Sequence, residues 1–114
     1  VSNKEKGVLA SLEVALEMVQ RGYYFENIDL YKSDGKKFII NSKTNKIIPP
    51  LTSIDGLGES VVLKVVEERE KKEFLSIEDL QNRTSINSTV IKFMKKIGVL
   101  DNIQDKNQLE LDLF

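Results

Sequence analysis

The chain has 114 residues, of which 40% are apolar and 31% charged, and it contains neither Cys nor His. That length suits one modest domain or a domain with appendages. The missing residues exclude disulfides, thiolate metal sites and imidazole catalysis, and they argue against zinc. A net charge of −1 argues against general electrostatic capture of nucleic acid.

Ser2, Asn3, Lys4 and Glu5 have the spacing of a capping box, and Val8, Leu9, Leu12, Leu16 and Val19 then recur at helical intervals. These residues predict a helix over about 3–21 whose stripe packs into a core, stopped by Gly22. Tyr23, Tyr24 and Phe25 could stack on bases, but aromatics in this position more often cover a helix end. Phe38–Ile40 and Lys46–Ile48, around the turn 41–45, predict a β-hairpin. Lys32, Lys36, Lys37, Lys43 and Lys46 gather here, either touching phosphates or guarding a solvated edge.

Pro49-Pro50 marks a boundary, followed by a single turn led by Pro50. Ile54-Asp55-Gly56-Leu57-Gly58-Glu59-Ser60 then precedes a helix of about 59–71 whose apolar face is Val61, Val62, Val65 and Val66. Lys64 belongs to its wet face. Ser76 caps a further helix, and a last one over about 88–97 carries Val90, Ile91, Met94 and Ile97. Residues 76–97 thus read as a degenerate second copy of 50–71, with no glycine in its turn, packing more than binding.

The Gly56/Gly58 pair can be a tight turn only, and a Gly-x-Gly before a helix also occurs in dinucleotide sites. The dinucleotide reading needs a preceding strand in a parallel sheet, which Pro49-Pro50 opposes. With Ile54 and Leu57 as anchors, Gly56, Gly58 and the next N–H groups face outward at the positive end of a helix dipole, where a phosphate fits. This is the logic of a helix-hairpin-helix, which holds the nucleic-acid backbone without reading bases. Residues 1–49 carry eight basic and six acidic side chains, 50–100 eight of each, and 101–114 one basic and four acidic. Contact with DNA is therefore expected to be local, and the acidic end to do something else.

Beyond Asp101 a polar linker leads to Gln108-Leu109-Glu110-Leu111-Asp112-Leu113-Phe114. Leu111, Leu113 and Phe114 make a compact apolar plug, and Gln108 offers amide hydrogen bonds, as in a peptide captured by a hydrophobic groove. The alternative is a tail folded onto its own domain. No catalytic constellation is visible: Asp29 and Asp34 lie in no metal loop, and the serines have no His. There is no apolar run of membrane-spanning length, the first dozen residues do not look like a signal peptide, and the absence of Cys fits a reducing cytoplasm.

Ala15-Leu16-Glu17-Met18, Arg21-Gly22, Ile28–Asp34, Phe38–Ile40, Ile48-Pro49-Pro50, Gly56-Leu57-Gly58, Glu73–Ser76, Glu78–Leu80, Gly98–Asp101, Asn107–Leu109 and Leu113-Phe114 resemble, in collinear order, the C-terminal end of PolC-type DNA polymerase III α subunits. The resemblance implies a mainly α fold with a small β-hairpin. Residues 1–49 would be the end of the fingers, 50–100 a tandem helix-hairpin-helix on duplex DNA, and 101–114 a flexible tail bearing a sliding-clamp peptide. It implies phosphate contacts from Gly56, Leu57, Gly58, Glu59, Ser60 and Lys64, and clamp contacts from Gln108, Leu109, Leu111, Leu113 and Phe114. Family tails often read Gln-Leu-x-Leu-Phe; two extra residues here leave open whether Leu109 or Leu111 fills the leucine pocket. The implied partners are duplex DNA, the β sliding clamp and the rest of the polymerase, in the cytoplasm at the replication fork. No cofactor is expected in this piece. Mg2+, the polymerase aspartates and the 3′–5′ exonuclease belong to the longer chain. The alternatives are a helical protein–protein scaffold with no DNA role and, more remotely, a subunit of a repair nuclease.

Overall fold

The computed structural model describes residues 7–104. The chain forms two compact units that divide between Ser53 and Ile54.

The first unit is built on a sheet. Its strands are β1 (Val8–Ala10), β2 (Tyr24–Phe25), β3 (Phe38–Asn41) and β4 (Lys46–Ile48), in the order β1-β3-β4-β2. β3 is antiparallel to β1 and β4, and β2 is parallel to β4. The expected hairpin is thus the middle of a four-stranded sheet, and the fold is mixed α/β rather than mainly α. Strand alternation sorts the side chains. Ile40 and Ile47, paired with each other, are buried with Ala10 and with Ala15 of helix α1 (Leu12–Gln20). Met18, Tyr23 and Phe38 pack against this cluster. Ile39, Asn41, Lys46 and Ile48 point to the opposite face.

The helix expected over 3–21 is shorter. Residues 8–10 pair with β3, and α1 starts behind Ser11, whose Oγ accepts the Val14 N–H at 3.4 Å. The proposed capping box at Ser2–Glu5 lies outside the described residues. The stripe does not form the expected core either. Only Ala15 of α1 is buried, because a small residue lets the helix lie close to a narrow sheet. Leu12, Leu16 and Val19 stay 54%, 48% and 37% exposed. Aspartates organise the loop between β2 and β3. Asp29 Oδ1 accepts the N–H groups of Tyr31 and Lys32, and Asp34 Oδ2 those of Lys36 and Lys37. A 3-10 turn, Leu51–Ser53, follows Pro50 and is tied back by Leu51 N–H to the Asp34 carbonyl and Thr52 N–H to that of Gly35.

Among its described residues the second unit contains three helices, α2 (Glu59–Lys71), α3 (Ile77–Thr84) and α4 (Ser88–Lys96). Its buried residues include Ile54, Leu57, Val62, Val65, Phe74, Ile77, Leu80, Ile86, Val90, Ile91, Met94 and Leu100. On the helices these recur at intervals of three and four, as an amphipathic face requires. Four β-branched valines cost α2 some intrinsic propensity, so burial of Val62 and Val65 has to hold it. Ser76 caps α3 by accepting the Asp79 N–H at 3.0 Å. Gln104, expected to lie in a polar linker from Asp101, is bound to the α3 start. Its carbonyl accepts the Ile77 N–H at 2.8 Å, and its side-chain amide donates to the Leu75 carbonyl at 3.3 Å.

Candidate nucleic-acid interface

The turn into α2 has two glycines with different physical demands. Gly56 has φ +87, the left-handed region, and a Cβ there would lie 3.1 Å from Val90 Cγ2. The torsion favours glycine at that position, and a larger residue would also oblige Val90 to shift. Gly58 is the N-cap of α2 with φ −73 and ψ 164, extended torsions open to any residue. A Cβ at Gly58 would meet nothing within 4 Å. Nothing among the described residues therefore asks for glycine at 58. No side chain caps α2, so its first N–H groups point toward that open space.

Leu57 between them is 7% exposed and Ile54 1%. Leu57 anchors the turn and has only its backbone to offer a ligand. Gly56, Gly58, Glu59, Ser60 and Lys64 are exposed. Glu59 stands in the first turn, where its charge favours the helix dipole but opposes a phosphate. Lys64, more than a turn further along, supplies the opposite sign.

The same backbone path recurs from α3 to α4. Ser85 takes the left-handed conformation, φ +67 and ψ 22, and Asn87 the extended N-cap torsions, φ −80 and ψ 166. Ile86 between them is buried, as Leu57 is. Buried Ile91 and Met94 stand as far beyond Asn87 as Val62 and Val65 stand beyond Gly58. In this turn, however, the chain's own side chains take the polar groups. Asn87 Oδ1 accepts the Val90 N–H at 2.9 Å, and the Gln81 amide donates to the Ile86 carbonyl at 3.0 Å.

Arg83, just ahead of the second turn, was not singled out in the sequence. Its Nε donates to Glu68 Oε1 at 3.1 Å and its Nη1 to Asp79 Oδ2 at 3.0 Å. Further bonds reach the carbonyls of Glu68, Lys72 and Glu73, so one guanidinium holds the last turn of α2 and the two residues that follow it. The guanidinium also lies 4.4 Å from the centre of the Phe74 ring. The hydrogen-bonded Lys71 ammonium, and after it Arg83, hold the Glu68 carboxyl below its ordinary range. Burial alone would push Asp79 up, but the Leu75 N–H and Arg83 outweigh it, and Asp79 too lies low. These charges brace the fold rather than perform chemistry.

The aromatics do not cover a helix end as expected. Tyr23 packs on the core, but Tyr24 is 72% and Phe25 48% exposed. Alternation in the 38–48 segment carried a signal for this arrangement, since it separates Ile40 and Ile47 from Ile39 and Ile48. Among the described residues no group of three or more Asp or Glu gathers to hold a metal, and Asp29 and Asp34 already hold turn N–H groups. None of the described helices is long and apolar enough to cross a membrane. Gln108, Leu109, Leu111, Leu113 and Phe114 lie outside the described residues.

A family model for the helix-hairpin-helix motif matches residues 22–109. The DNA polymerase III PolC-type of Bacillus subtilis is 47% identical over 110 residues, 96% of this chain but 8% of the relative. That of Caldanaerobacter subterraneus subsp. tengcongensis is 46% identical over 95% of this chain, and that of Listeria monocytogenes 46% over 96%, each again covered to 8%. The chain thus belongs to the helix-hairpin-helix motif family and, along nearly all of its length, is similar to a short segment of PolC-type DNA polymerase III.

Proposed function

We propose that this chain is a non-catalytic piece of a bacterial replicative DNA polymerase III. Gly56, Leu57, Gly58, Glu59 and Ser60 would hold one backbone phosphate of duplex DNA through main-chain N–H groups, with Lys64 adding charge. The observation that carries this reading is Gly58, a glycine that neither torsion nor packing demands, at an uncapped helix start. Residues 76–97 would be its degenerate tandem partner. Residues 108–114 would tie the polymerase to the β sliding clamp, raising its effective concentration on the template without tight direct binding. The rest of the polymerase would cover the stripe of Leu12, Leu16 and Val19, which is apolar and exposed on one side of α1. Polymerase and exonuclease chemistry, with its Mg2+, would reside in that remainder, and the whole would work in the cytoplasm at the replication fork.

Gly58→Ala tests the grip. Fold stability should change by less than about 0.5 kcal/mol, as at a tolerant surface site, while duplex affinity measured by anisotropy falls several-fold. Unchanged affinity would remove the phosphate assignment. Truncation after Asn107 should abolish clamp binding with the thermal melt unaltered; retained binding would exclude the terminal peptide. The near-neutral balance of residues 50–100 favours a second reading, a helical scaffold with no DNA role. A salt titration separates the two. A phosphate grip weakens steeply with salt, and a scaffold shows no duplex binding at any salt.

A further inference from the structure

The sheet face turned away from α1 has the composition of a binding surface. A cavity of about 460 Å3 opens on it, lined by Glu26, Lys32, Ile39, Asn41, Lys43, Thr44, Lys46 and Ile48. This volume is in the range of small-molecule sites. Ile39, 4% exposed, is the most buried of the apolar lining. Three lysines against the single carboxylate of Glu26 make the rim positive. Among the described residues no ion pair engages Lys32, Lys43 or Lys46.

The lysines are held in place by the local fold. Asn41 Oδ1 accepts the N–H groups of Lys43 and Thr44 at 3.0 and 3.3 Å, fixing the turn. Asp29 Oδ1 accepts the Lys32 N–H at 2.8 Å. Tyr24 registers with Lys46, and Lys46 with Asn41. Alternation therefore places the Tyr24 ring on the cavity face, at the β2 edge and 72% exposed.

We propose that this face binds single-stranded DNA, one base stacking on Tyr24 and the adjoining phosphates meeting Lys32, Lys43 and Lys46. An exposed ring beside unpaired lysines, over a partly apolar pocket, is what sequence-tolerant capture of a single strand uses. Duplex DNA hides its base faces and gains nothing from Tyr24. The site is on a different unit from the Gly56/Gly58 turn and stands whether or not that turn holds a phosphate.

The test uses the full chain and a short fluorescein-labelled oligothymidylate, read by anisotropy. Tyr24→Ala should weaken binding about tenfold and Tyr24→Phe should restore it. Lys43→Gln with Lys46→Gln should flatten the dependence of log affinity on log salt by about 0.7 per lysine. Gly58→Ala should leave single-strand binding unchanged. Tyr24→Ala binding as well as the parent would overturn the proposal. So would thymidine triphosphate competing as strongly as the oligonucleotide, which would mark a free-nucleotide pocket, or Gly58→Ala weakening single-strand and duplex binding alike.

Discussion

The two turns of the second unit follow one path and finish it differently. Each has a left-handed residue, a buried aliphatic one, then an extended N-cap: Gly56, Leu57, Gly58 and Ser85, Ile86, Asn87. Where the first has glycine, the second has side chains that satisfy its own helix start. Where the first is preceded by buried Ile54, the second is preceded by Arg83 and its five hydrogen bonds. A backbone shape thus need not imply a binding site. What opens the first turn is the lack of a cap, and what closes the second is one asparagine oxygen.

The largest effect should come from Arg83→Met, which removes the brace of the second turn and leaves two carboxylates and three carbonyls to find other partners. A loss on the order of 2 kcal/mol is expected in urea unfolding, discounted from the cost at a fully buried pair because Arg83 keeps 14% of its side chain exposed. The same experiment has a pH signature. Glu68 and Asp79 have lowered folded-state pKa values. Their stabilisation is complete above the unfolded-state values, about 4, and disappears as pH falls through the folded ones. Unfolding between neutral pH and about pH 2 should show a shallower acid loss in the variant than in the parent.

Gly56→Ala comes next. Its left-handed torsion costs an L residue about 1–2 kcal/mol, and Val90 must also give way. Ser85→Gly is the mirror experiment. Relief at φ +67 is offset by extra unfolded-chain entropy, so its net change should stay within about 0.5 kcal/mol. A large loss there would mean that the turns are not equivalent. Asn87→Ala should cost about 1 kcal/mol in unfolding, and Asn87→Gly only a few tenths. Asn87→Gly also opens the second helix start, so under the proposed function it should raise duplex affinity, with no change counting against the role of capping.

Much of the second unit was legible in the sequence because its signals are local. Ser76, the Gly-x-Gly pair and the three- and four-residue spacing of Val62, Val65, Val90, Ile91 and Met94 each report on their own turn of chain. The first unit was misread because its elements are defined by distant partners. Val8 and Leu9 fit a helical stripe as well as a strand, and β3, some thirty residues away, decides between them. The burial expected for Leu12, Leu16 and Val19 assumed a surface wide enough to cover them, and a sheet of two- to four-residue strands is not. Of the turn into α2, both glycines were visible, but only the torsions and the empty space at Gly58 separate a glycine the fold needs from one it does not. Tyr24 was weighed as helix cover because its exposure depends on pairing with β4. Arg83 carried one local signal, its i,i+4 spacing from Asp79, but its other partners, Glu68, Lys72 and Glu73, lie ten or more residues away in sequence.

Gln104 has a mechanical consequence. Its carbonyl and side-chain amide fasten the chain to the start of α3, so a pull applied further along reaches the body at that point and is not delivered first to the end of α4. Two hydrogen bonds loaded together resist more than two opened in turn. Single-molecule traction through residue 105 should therefore yield in a small step at Gln104 before the helices separate. A catch of this kind is a first yield point, which takes up a pull from beyond it while the helices stay packed.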